Sequence, residues 1–191
     1  MGIFLVIWLI LSFTVWIIVP IRQIGQKYFM FFLILIAGDI ITLIFRYALH
    51  SRTNVFYIIS GLLCLAAIQQ RKNSNFFRSV ILILSAATFI VEYFAFGYKG
   101  EFILISLCDF LLFYKFFQQS FVMYNADKVL NIFLGFLSFY QLISFTKLLG
   151  FITDSASAAS FFEIATSLQI LIGVFFCIYK ESDPRLLIKF K

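Results

Sequence analysis

Apolar residues run through this chain in blocks broken by short polar connections, and they do not alternate with polar ones. The clearest block is 28–47, YFMFFLILIAGDIITLIFRY. It has about the 20 residues that a helix needs to cross a hydrocarbon core about 30 Å thick. Further blocks fall at 3–19, 55–68, 79–96, 101–118, 129–149 and 161–179. In lipid the backbone must satisfy its own hydrogen bonds, which a helix does. The pattern therefore predicts an all-α polytopic membrane protein: a compact seven-helix bundle with one membrane domain over 1–191. Pro20 closes the first block, Gly97 and Gly100 loosen the turn before the fifth, and Pro184 stops the last helix from continuing into the tail 180–191.

Composition agrees with the blocks. The chain is 63% hydrophobic and 13% charged, against about 25% charged in soluble domains. That is too little polar surface to coat a globule in water. The 28 phenylalanines read as lipid-facing filler. Cys64, Cys108 and Cys177 all fall inside apolar blocks and read as small core residues, not as disulfides or metal ligands. The first block has no Lys or Arg before Arg22 and is longer than a signal core, so it reads as a span rather than a cleavable leader.

The net charge of +6 changes the picture once its placement is seen. Most of the 15 Lys and Arg residues lie in the first, third and fifth connections and the tail; Arg46, Arg52, Lys99 and Lys147 are the remainder. Basic connections stay cytoplasmic. The expected threading has the N-terminus outside and a short basic cytoplasmic tail, in a bacterial inner membrane; the same count would hold for a eukaryotic one. Connection 69–78, with Arg71, Lys72 and Arg78, is the most basic. With the tail it is the expected contact for a membrane or cytoplasmic protein partner, or for anionic headgroups. No basic arm, zinc spacing or RNA-binding signature points to nucleic acid.

The polar residues inside the blocks are the candidate chemistry, because a carboxyl at the bilayer centre costs about 2.5–3.5 kcal/mol on insertion scales. Asp39 lies about 16 Å along the second span, and Asp109 about 13 Å along the oppositely directed fifth, so both fall near the midplane. Gln141 has similar depth. Arg46, Glu92, Lys147 and Glu163 form an outer polar layer, with Gln169 between the layers. Arg46 with Glu92, and Lys147 with Glu163, could neutralise one another. The midplane pair could share a proton, bind a cation or serve as acid and base. It could also simply hold helices together through Thr42, Ser106 and Gln141. His50, the one histidine, reads as a turn residue on the outer side. No metal set, phosphate loop or Ser-His-Asp arrangement is evident, and no cofactor is expected.

Phe32–Ile40, FLILIAGDI, aligns with Phe102–Phe110, FILISLCDF, in spans of opposite direction, a relation many transporters share. Gly38-Asp39, the run from Gly100 to Cys108-Asp109, and Phe139-Tyr140-Gln141 together resemble the motif segments of YhhN-type lysoplasmalogenases. The resemblance implies hydrolysis of vinyl-ether lysolipids with Asp39 and Asp109 as catalytic carboxyls. It is confined to these segments, and the family's histidine segment has no counterpart in the third span. The expected role is a non-enzymatic sensor, ligand-binding or accessory subunit of a membrane complex. A transporter or channel, and a lysolipid hydrolase, are the alternatives.

Overall fold

A computed structural model describes residues 3–48, 54–68, 79, 83, 86–87, 97–153 and 158–190. Among these, six α-helices carry most of the chain: α1 (Ile3–Arg22), α2 (Phe29–Ala48), α3 (Asn54–Ile68), α4 (Gly97–Asp127), α5 (Ile132–Ile152) and α6 (Ala158–Ile178). Most of the expected fourth span, 79–96, lies outside the described residues. So do Arg71, Lys72 and Arg78, and likewise His50 and Glu92.

Phe29–Ala48, Ile132–Ile152 and Ser160–Ile178 are long and apolar enough to cross a membrane. α3 is apolar but shorter. α4 is the longest helix, and it runs past the expected end at 118 because neither Pro nor Gly interrupts 101–127. It stops where Lys128 takes a left-handed φ of 54°.

Helices pack against their neighbours in order, α1 on α2 through α5 on α6, and α6 returns to α1. The six described helices thus close a circuit. Small residues set the tightest approaches. A Cβ on Gly38 would lie 2.2 Å from Ser60 Oγ, and one on Gly61 would lie 2.8 Å from Cys108 Cβ. α3 is therefore pressed between the segments of α2 and α4 that carry Asp39 and Asp109. On the far side, a Cβ on Gly173 would lie 2.6 Å from Val15 Cγ1, which brings α1 onto α6.

One end of the circuit is filled by aromatic rings. Phe31, Phe32, Phe116, Phe133 and Phe176 are fully buried. Phe133 and Phe176 have ring centroids 4.9 Å apart, and Phe31 meets Phe116 edge-on at 5.2 Å. At the other end, Asn54 Nδ2 donates to Glu101 Oε2 at 2.6 Å and joins the starts of α3 and α4.

The tail does not extend as a plain polar segment. Asp183 caps a short 3-10 turn, Pro184–Leu186, and Leu186 is buried. Strand β2 (Leu187–Lys189) then pairs antiparallel with β1 (Val129–Asn131), with Leu130 opposite Ile188. This two-stranded ribbon is an addition to the all-α expectation. Above it, Gln23 is completely buried. Its Nε2 donates to Phe176 O at 2.9 Å and Tyr179 O at 2.8 Å, and its Oε1 accepts from Glu181 N at 3.4 Å. Gln23 thereby satisfies carbonyls that the end of α6 would otherwise leave unpaired. The α1–α2 connection, the α4–α5 connection and the tail all meet at this aromatic end.

Candidate functional site

Asp39 and Asp109 fall at one level. Gly38 packs against Ser60, and Gly61 packs against Cys108, so the positions just before the two aspartates meet adjacent residues of α3. Both are half-buried. Lys147 on α5 lies within electrostatic range of both carboxyls, and so does Tyr140. The Tyr140 ring is itself packed on Trp16 of α1, centroids 4.6 Å apart. Elements scattered over the chain thus converge on one polar centre.

Lys147 is held without either aspartate. Its Nζ donates to Thr166 Oγ1 at 3.0 Å and Gln169 Oε1 at 3.2 Å, and it sits 3.8 Å from the centroid of the Phe162 ring. Gln169 is oriented in turn, since its Nε2 donates to Ser144 Oγ at 2.8 Å. Ser144 Oγ donates to Tyr140 O at 3.2 Å. Among the described residues, neither Asp39 nor Asp109 receives a hydrogen bond, and no ion pair joins either to Lys147. Two carboxyls lie in the field of an ammonium that is anchored elsewhere.

Other polar groups near this depth are buried. Gln141 is 1% exposed, and both its amide atoms lack a partner among the described residues. Ser106 is 4% exposed, and its hydroxyl is likewise unpartnered there. Ser106 precedes Asp109 by three residues and shares its face of α4. Thr42, buried, follows Asp39 by three residues and shares its face of α2. Tyr57 of α3 lies within range of Asp39 and Arg46.

The outer residues divide. Arg46 and Glu163 are exposed. Lys147 bonds Thr166 and Gln169, and no Lys147–Glu163 bridge forms among the described residues. An apolar groove of about 120 Å³ between α2 and α3 is lined by Ile34, Ala37, Gly38, Ile41, Phe56 and Leu63, among others. No charged side chain of the polar centre lines it. The described residues contain no group of three or more His, Cys, Asp or Glu placed to hold a metal.

Two tail groups at the aromatic end are electrostatically distinct. Burial raises the Glu181 carboxyl above its ordinary 4.5, against lowering by Lys27 and nearby backbone amides. Asp183 is held low by hydrogen bonds from Arg185, whose Nη2 lies 2.7 Å from its carboxylate.

Sequence reasoning singled out Asp39, Asp109, Gln141 and Gln169 and set Lys147 in an outer layer with Glu163; Lys147 bonds Thr166 and Gln169, and Tyr140, read only as part of a motif segment, lies within electrostatic range of both carboxyls. A helical Cβ tilts towards the N-terminus. Lys147 accordingly shares Gln169 with Ser144, three residues nearer the start of α5. No protein-family model, curated protein or solved structure matches the chain.

Proposed function

We propose that this chain is a seven-span protein of a plasma membrane, in a bacterium the inner one, with its N-terminus outside and its C-terminus cytoplasmic. It acts there as a non-enzymatic ligand-binding sensor or accessory subunit. The observation that carries the role is the pair of carboxyls at one depth with no hydrogen-bond donor among the described residues, beside an ammonium anchored on Thr166, Gln169 and Phe162. Structural carboxyls inside a protein are normally hydrogen-bonded. A pair left without donors suits a site that a ligand completes.

The threading is supported by the ends. The first and fifth connections and the tail share the aromatic end, as an odd number of crossings before each requires. That end also carries Arg22, Lys27, Lys128, Lys180, Arg185 and Lys189, consistent with a cytoplasmic location. The buried rings there close the inner side of the centre. The ligand therefore arrives from the outer side, past Thr42, Ser106 and Tyr57, and the signal leaves through the tail and the 69–78 connection.

Extraction in mild detergent tests the subunit role. A stoichiometric membrane or cytoplasmic partner, lost when the tail is removed, is the expected result. A clean monomer that carries an ion flux in proteoliposomes, sensitive to Asp39→Asn, would instead favour the transporter. The lysolipid hydrolase is a second reading favoured by one observation: Tyr140 lies within range of both Asp39 and Asp109, so the three resembling segments converge. It requires turnover of lysolipids by the purified protein that Asp109→Asn abolishes.

A further inference from the structure

We propose that the β1–β2 ribbon is an interfacial anchor whose outer face docks on a bilayer surface of anionic phospholipid. The anchoring role rests on the membrane placement proposed above and goes beyond it by giving the tail a lipid to bind.

The ribbon has two unlike faces, because side chains alternate along each strand. One face holds Asn131, which is buried and caps α5 by accepting from Leu134 N at 3.3 Å. That face meets the bundle. The other holds Leu130 opposite Ile188. Phe190 follows on the same side, where its N–H donates to Lys128 O at 2.9 Å. Leu130, Ile188 and Phe190 are 38%, 42% and 48% exposed. Apolar side chains grouped on one exposed face mark a binding surface.

Continuity shows what covers it. Tyr124, in the last turn of α4, meets Phe190 edge-on with ring centroids 5.8 Å apart. Phe121 and Phe117 precede Tyr124 at the three- and four-residue spacings of one helix face, and both are more than half exposed. The rings of Phe113, Phe117 and Phe121 stack in series at 5.9 and 6.4 Å. An exposed aromatic stripe thus runs from inside the 101–118 span to the ribbon face. Aromatic rings are favoured at the headgroup level. A cytoplasmic protein on this face would meet headgroups along the Phe117–Phe121 edge, so the bilayer itself is the occupant that the stripe favours.

Charge selects the lipid. Arg22, Lys27, Lys128, Lys180, Arg185 and Lys189 lie at this end, against Asp127, Glu181 and Asp183. Asp183 is already taken by Arg185 at 2.7 Å. Lys128 borders the apolar face, its Nζ 5.4 Å from the centroid of the Tyr124 ring. Its stem covers apolar surface while its ammonium stays free to meet a phosphate. Apolar side chains in the interface, surrounded by a surplus of basic ones, bind acidic lipid surfaces.

The test attaches a nitroxide to Ile188→Cys in the full chain, in phosphatidylcholine nanodiscs with and without about a third of phosphatidylglycerol. Collisions with oxygen, which concentrates in lipid, and with a neutral nickel chelate, which stays in water, locate the label. Leu171→Cys, at a 65% exposed position of α6, is the membrane reference, and wild type taken through the same labelling gives the background of the native cysteines. In anionic nanodiscs the label at Ile188 should meet oxygen more than nickel. Lys128→Gln and Lys189→Gln should each lower the ratio of docked to undocked label about fivefold, and Leu130→Asp should return the label to water. Nickel access at Ile188 with oxygen access at Leu171 overturns the anchor and keeps the membrane placement. Nickel access at both positions overturns both. Equal docking in the two lipid mixtures and in the Gln variants overturns the anionic class. Low access to both probes at Ile188 places protein over the face and overturns lipid docking.

Discussion

Gln23→Leu is the substitution whose cost the structure fixes most closely. Gln23 is completely buried, and its side-chain amide joins three backbone groups near the C-terminal end of the chain. Two of its bonds are of full strength at 2.8 and 2.9 Å, and the third is longer at 3.4 Å. A typical hydrogen bond contributes about 0.5–1.5 kcal/mol net, while a buried carbonyl left without a partner costs about 1–3 kcal/mol. Leucine keeps most of the volume, so packing changes little. The two strong bonds then set a loss of about 2–4 kcal/mol, with the Glu181 contact adding little. Unfolding by sodium dodecyl sulfate titration from mild-detergent micelles measures it. Amide exchange at Glu181 and Ser182 shows where it acts, since Gln23 and Gln26 accept from these two amides. Stability within about 0.5 kcal/mol of wild type, with exchange at both amides unchanged, would refute the capping role.

Two further substitutions probe other parts of the fold. Gly38→Ala puts a methyl 2.2 Å from Ser60 Oγ and 2.9 Å from Ser60 Cβ, so it should cost about 1–3 kcal/mol through overpacking. Adding Ser60→Ala should recover part of that loss in a double-mutant cycle, and a harmless Gly38→Ala would contradict the close α2–α3 approach. Glu181 gives a pH dependence. Its folded value is raised by burial above the ordinary 4.5, so the neutral acid is favoured in the folded tail. Tail docking should be strongest below that ordinary value, weaken as pH rises through the window up to the raised value, and stay level above it. Glu181→Gln should remove this slope. Amide exchange of Glu181 and Ser182 across that window reads the wild type, and Ser182 exchange reads both proteins; a slope of opposite sign would contradict the burial.

What the sequence disclosed followed from the physics each part obeys. α2 was expected at 28–47 and is found at Phe29–Ala48, because a 20-residue apolar run in lipid has one way to satisfy its backbone. The expected common depth of Asp39 and Asp109 rests on helical rise alone. α4 was cut short at 118 because hydropathy marks where lipid ends, whereas a helix continues into water until something such as Lys128 turns it. The β1–β2 ribbon was illegible, since two three-residue segments 58 positions apart carry no periodicity. Gln23 read as an ordinary connection residue; nothing local distinguishes it from Gln26, and only the arrival of α6 gives it partners. The expected Lys147–Glu163 pairing overlooks Thr166 and Gln169, which hold the ammonium instead.

The decisive question is whether Asp39 and Asp109 hold helices together or wait for a ligand. The stability of the Asp39→Asn, Asp109→Asn double variant answers it most directly. With no hydrogen bonds to lose among the described residues, and with Lys147 anchored on Thr166 and Gln169, replacing both carboxyls by amides breaks no contact. Unfolding from mild-detergent micelles should show stability equal to or above wild type, as expected of residues kept for function at a cost in stability. A loss of about 3 kcal/mol or more, the scale of a broken buried pair, would show that the carboxyls are structural and contradict the ligand-binding centre.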